Sequence, residues 1–214
     1  MKELKKEFIT KSSESRLHNL EIPVIALTGG IATGKSTISE YLVELGLPII
    51  CADKLVKEIY GLKETKEFIS SVAPESIEND QVNFKTLRSL VFNDSKLKTK
   101  IENYIYSLLP HFFKKKSEEL KAPYVIYDVP LLYEKNLDQL VDQVICVYAS
   151  QEIQHERVAK RDKSSSEIIN KILASQLPID SKKERADFVI DNSEDISKAK
   201  VEALNIFNIL LKES

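Results

Sequence analysis

The sequence predicts an α/β protein with a five-stranded parallel sheet, on three observations. Five short apolar runs, at 22–28, 47–52, 124–129, 141–149 and 187–191, are continuous rather than alternating, as strands covered on both faces are. Stretches with helical apolar spacing separate them. All five glycines fall within the first 61 residues, so the special backbone chemistry is concentrated early.

In chain order, residues 1–20 mix Lys2, Lys5, Lys6 and Lys11 with Glu3, Glu7 and Glu14 and lack the apolar stretch of a signal peptide. They read as a charged N-terminal tail, loosely held or forming an added helix. "IPVIALT" (22–28) is the first strand, "KSTISEYLVELG" (35–46) a helix stopped by Gly46, and "LPIICA" (47–52) the second strand. Residues 61–121 read as helical. There "IENYIYSLLPHFF" puts Ile101, Tyr104, Ile105, Leu108, Leu109 and Phe112 on one face, and Pro110 is expected to kink or end that helix. The stretch is too long for an ordinary crossover and is expected to be an inserted helical subdomain capping one side of the sheet. "YVIYDV" and "VDQVICVYA" are the third and fourth strands. "QEIQHERVAKRD" is a charged helix running into the polar "KSSS", "DFVID" the fifth strand, and 195–212 a closing amphipathic helix.

Composition narrows the function. A formal net charge of -2 gives no global field for nucleic acid. No apolar run approaches the ~18 residues of a membrane span. Cys51 and Cys146, far apart in a chain without an export signal, point to reduced thiols and a cytoplasmic setting. His18, His111 and His155 have no metal-ligand spacing.

The chemistry lies in "TGGIATGKST". Gly29 to Ser36 satisfies G-x-x-x-x-G-K-[ST] between a strand and a helix, the P-loop arrangement in which backbone N–H groups turn inward on an anion. Gly30, Ile31, Ala32, Thr33, Gly34, Lys35, Ser36 and Thr37 are the expected nucleotide contacts, with Lys35 on the β- and γ-phosphates and the Ser36 hydroxyl on Mg²⁺. Asp53, just past the second strand, suits either a general base or a helix N-cap. Asp128, ending the third strand, suits either an acid positioning Mg²⁺ or a turn residue before Pro130. Arg157 and Arg161 are one helical turn apart and suit either a polyphosphate or a solvated face paired with Glu156 and Asp162.

The D-x-x-G and N-K-x-D signatures of GTPase switches do not occur, which weakens that reading, and a short chain with an inserted helical segment after the second strand and an Arg-bearing segment after the fourth resembles a small-molecule kinase. From Ile22 to Asn192 the chain resembles the dephospho-CoA kinase family: in "IALTGGIATGKST", in "DVPLLYE" against D-[IV]-P-L-L-[FY]-E, in the spacing of Gln154, Arg157, Arg161 and Asp162 with Gln176 following, and in "ADFVIDN". The resemblance implies a P-loop kinase core over 21–60 and 122–214, a helical substrate-binding insert over 61–121 and a mobile lid over about 161–180. It implies ATP with Mg²⁺, dephospho-CoA as the acceptor, and a monomer or weak homo-oligomer without nucleic-acid or membrane partners. It makes Asp53 the general base, Arg157 and Arg161 lid contacts to the phosphates, Asp128 a site acid and Asn192 a residue beside the adenine. Cys51 stands where the family has the first acid of D-A-D, Lys57 where it has Arg, and Tyr106 and Ser107 where it has His and Pro. The residues alone also admit another P-loop kinase of a nucleoside or small alcohol, or a non-catalytic nucleotide-binding paralogue.

Overall fold

A computed structural model of the chain describes residues 1–162 and 166–213. Residues 163–165, part of "KSSS" and of the expected lid, lie outside the described residues. Among the described residues the order is β1 (Val24–Gly29), α1 (Lys35–Glu44), β2 (Ile49–Cys51), α2 (Ala52–Gly61), α3 (Lys63–Val72), β3 (Ile77–Glu78), β4 (Gln81–Val82), α4 (Phe84–Asn93), α5 (Ser95–Leu120), β5 (Val125–Asp128), β6 (Gln143–Tyr148), α6 (Gln151–Asp162), α7 (Ser166–Ala174), α8 (Ile179–Arg185), β7 (Phe188–Asp191) and α9 (Ile196–Leu210).

The chain divides into two compact units, one formed by Met1–Ile50 with Leu120–Ser214 and the other by Cys51–Glu119. The first holds the sheet, in strand order β2-β5-β1-β6-β7. β1 pairs in parallel with β5 and β6, and β6 with β7. The central strand β1 is buried along its whole length, which is why its sequence shows no alternation. Ile25, Leu27, Ile145, Val147 and Ile190 of the sheet share one core with Ile38 and Leu42 of α1 and with Ala199, Ala203 and Phe207 of α9.

Residues 1–20 are neither loose nor a regular helix. They form short 3-10 turns at Lys6–Phe8, Ser13–Ser15 and Leu17–Asn19. Leu4 makes an antiparallel bridge with Leu211, and both are buried. Arg16, 4% exposed, donates from Nε to Asp142 Oδ2 at 2.8 Å and from its terminal nitrogens to Asp142 Oδ1 and the carbonyls of Lys11, Leu20 and Glu21. Asp142 in turn accepts the N–H groups of Thr10, Lys11 and Val24. A buried guanidinium with all its donors engaged holds the arm, and no apolar periodicity announces it.

In the second unit, Ile59, Ile69, Ala73, Val82, Leu87, Ile101 and Ile105 form a separate core, against which Tyr104, Leu108, Leu109 and Phe112 pack. The face expected on α5 is therefore the one that packs. Two expectations are corrected here. Pro110 does not end the helix but lies inside α5, because its position is exposed and water can satisfy the carbonyl one turn back that its missing N–H leaves free. The stretch 61–121 is also not wholly helical. β3 and β4 form a hairpin turning at Asn79 and Asp80, whose φ of 49° and 60° suit the tight turn that matches strand twist. Among the described residues no helix is long and apolar enough to cross a membrane.

Candidate active site

β1 ends at Gly29, α1 begins at Lys35, and the five residues between form the loop. Ala32 (φ 57°) and Gly34 (φ 87°) are left-handed, which lets successive N–H groups face one concavity. No side chain caps α1, so its first N–H groups keep their capacity for an anion. The Thr33 hydroxyl donates to the Gly30 carbonyl, and Asn192 Nδ2 donates to the Thr33 carbonyl at 2.7 Å. Gln176 Oε1 accepts the Ile31 N–H at 3.0 Å, so the segment after α7 also holds the loop.

Beside this loop lies an open cleft of about 680 Å³, lined by Ala32, Gly34, Lys35, Ser36 and Thr37 of the loop and α1, by Arg157 and Arg161 of α6, and by Asn192, Glu194, Asp195 and Ile196. The expected residues Ala32, Gly34, Lys35, Ser36, Thr37 and Asn192 and both arginines thus meet in one place, with three exceptions. Gly30 and Ile31 do not line the cleft, the Ile31 N–H being already engaged, and Thr33 is fully buried. The arginines differ. Arg157 donates to the carbonyls of Ala32 (3.3 Å) and Asn192 (2.8 Å), which ties α6 to the loop. Arg161 is exposed and forks onto Asp162 at 2.7 and 2.8 Å. That hydrogen bond raises the Arg161 pKa and holds the Asp162 carboxyl below the usual carboxylate range.

Asp128, 4% exposed, accepts a hydrogen bond and ion pair from Lys35 Nζ. The two charges whose positions suggested phosphate and metal chemistry therefore neutralise each other. Asp53 lies in the second unit, in the first turn of α2, exposed and without a hydrogen bond or ion pair among the described residues. It is not the helix cap, because Cys51 occupies the N-cap. Lys57, Tyr106 and Ser107 are likewise exposed in that unit.

Sequence reading missed Lys182 of α8, which is fully buried. Its Nζ donates to the carbonyls of Gly29 (3.3 Å) and Pro130 (2.9 Å) and pairs with Glu134 Oε1 at 2.9 Å. Burial raises the Glu134 pKa, but the hydrogen bonds from Lys182 and the Leu177 N–H outweigh it and hold the carboxyl below its ordinary range. The only signal was Glu134 closing "DVPLLYE". Lys182, within "SKKER", reads as one charge of a solvated helix.

A family model described as dephospho-CoA kinase matches residues 23–198. The dephospho-CoA kinase of Fusobacterium nucleatum is 37% identical over 179 residues, covering 83% of this chain and 93% of that protein. The dephospho-CoA kinase of a Staphylococcus aureus strain is 37% identical over 197 residues, covering 89% and 92% respectively. Among solved structures, a dephospho-CoA kinase from Campylobacter jejuni aligns with a TM-score of 0.62 and 27% identity, over 86% of this chain and 95% of its own. The protein TT1252 from Thermus thermophilus aligns with a TM-score of 0.79 and 26% identity, over 88% and 97%. With most of its length matched by the family model and by relatives above 30% identity, the chain belongs to the dephospho-CoA kinase family.

Proposed function

We propose that the chain transfers the γ-phosphoryl group of ATP to the ribose 3′-hydroxyl of dephospho-CoA, giving coenzyme A and ADP. The observation that carries this reading is the cleft where an uncapped helix N-terminus, Lys35 and two arginines meet in a chain matched to this family. Loop N–H groups and Lys35 hold the phosphates, and Arg157 and Arg161 neutralise charge on the transferring group. Lys35 leaves Asp128 when the phosphates arrive, which frees the carboxylate for a cation. Asp53 takes the hydroxyl proton, a role its exposed, unpaired carboxylate leaves open.

The residues present fit Mg²⁺. Ser36 offers a hydroxyl on the cleft wall and Asp128 a single carboxylate, the sparse oxygen set of an ion that keeps most of its waters and shares the phosphates. When bound, Mg²⁺ supplies charge neutralisation at the phosphate oxygens. The test is incubation with Mg-ATP and dephospho-CoA, with CoA followed by mass and Lys35→Ala as the control. Stoichiometric CoA and ADP, lost in the variant, is the expected result. ATP binding without CoA formation refutes the acceptor.

A further inference from the structure

Lys182 has no place in that mechanism, and its surroundings are hard to explain by stability. It is a lysine with no exposed surface, and its three donors reach three acceptors, one at the end of β1 and two in the turn that follows β5. One acceptor is the Gly29 carbonyl, where β1 passes into the phosphate loop. The second is the Pro130 carbonyl, two residues beyond Asp128, which also accepts from the Thr28 hydroxyl. The third is Glu134, whose Oε1 also accepts the Leu177 N–H, next to the Gln176 that holds Ile31. A buried ion pair is near break-even against apolar residues of the same volume. This one also leaves Glu134 Oε2 buried without a partner. Such an unsatisfied oxygen calls for a reason other than stability.

The peptide geometry supplies one. In a trans peptide the carbonyl and the following N–H point in opposite directions, and the described chain has no cis bond. An ammonium drawing the Gly29 carbonyl to itself therefore turns the Gly30 N–H away from α8. The same ammonium fixes the Pro130 turn, and with it the approach of Asp128, against the start of the loop. We propose that Lys182 is a positioning residue of the phosphate loop: from behind, it sets the direction of the Gly30 N–H and the register of the loop against Asp128, and so sets affinity for the nucleotide triphosphate. Only the kinetic part of this proposal rests on the kinase reading above.

The test is the double variant Lys182→Met/Glu134→Gln, which removes both charges and leaves neither buried alone. Its Tm is expected within a few degrees of the parent, while calorimetric ATP affinity falls roughly tenfold, as for loss of one charge-assisted contact's worth of order. KM for ATP rises in step and KM for the acceptor does not. Unchanged ATP affinity overturns the proposal, as does an equal loss for both substrates. Glu134→Gln alone leaves Lys182 on Gly29 and Pro130, so it is expected to lower Tm and keep ATP affinity; a tenfold loss in that variant, folded, also overturns it. ATP calorimetry needs no acceptor, so a wrong acceptor shows separately, as absent CoA formation by the parent protein.

Discussion

Gly34→Ala probes the loop at its most constrained point. At φ 87° an L-residue costs roughly 1–2 kcal/mol. The new Cβ would also stand 2.2 Å from Asn192 Nδ2, so that amide must swing out. Its hydrogen bond to the Thr33 carbonyl is then lost at a site where Asn192 is 3% exposed and Thr33 not at all, which costs roughly 1–3 kcal/mol more. The sum is about 3 kcal/mol, or a fall in Tm of roughly 6–12 °C for a chain of this size. Gly46→Ala is the matched control. Gly46 also has positive φ, 76°, but an added Cβ meets nothing within 4 Å, so only the backbone cost remains, roughly 3–6 °C. Thermal unfolding by circular dichroism compares the two, and calorimetry adds the functional arm. Asn192 also anchors Arg157 through its carbonyl, so Gly34→Ala is expected to lose ATP binding while Gly46→Ala keeps it. Equal Tm falls in the two variants would refute the role given to Asn192.

Three further perturbations test other parts of the molecule. Arg16→Ala leaves the Asp142 carboxylate buried with only backbone donors and should cost about 3 kcal/mol, read as a lowered urea midpoint; no change would mean the arm is not held by this pair. Burial pulls the His18 pKa from its ordinary 6.5 down to about 4, so the native chain keeps the ring neutral while the unfolded chain takes up a proton. Stability present above pH 6.5 is therefore lost as pH falls toward about 4, and His18→Asn, which tolerates the φ of 55° there, should flatten that loss in urea titrations run across the window. Asp53→Asn should lower turnover roughly 10²–10⁴-fold with Tm and ATP affinity unchanged; near-parental turnover would remove Asp53 from the chemistry.

What could be read from the sequence was whatever physics ties to a local pattern. An anion cradle needs glycines and a lysine at fixed spacing on a strand-to-helix turn, so Gly29 to Ser36 was visible, as were the five sheet strands, whose ends moved by at most two residues. The face of α5 from Ile101 to Phe112 was visible for the same reason, since burial imposes its period. The misses lack such a pattern. The hairpin at Asn79 and Asp80 has two-residue strands, too short for alternation to register. Pro110 is tolerated because of solvent exposure, a tertiary property. Arg16 and Lys182 look like ordinary surface charges, and their partners Asp142 and Glu134 lie 126 and 48 residues away (142 − 16 and 182 − 134). Distances of that length leave no trace in a local window.

The central position of β1 also bears on how the chain is made. β1 leaves the ribosome well before its neighbours β5 and β6, which begin about a hundred residues later. At ~5–20 residues per second, a strand buried along its whole length in the finished fold waits roughly 5–20 s without a partner. Meanwhile Cys51–Glu119 is continuous in sequence and can gather its core while still tethered. The nucleotide-binding unit cannot be finished until Leu211 emerges to meet Leu4. Nascent-chain aggregation, rather than the stability of the finished fold, is therefore where substitutions in residues 24–29 should first be felt, and holding chaperones should matter most over that interval.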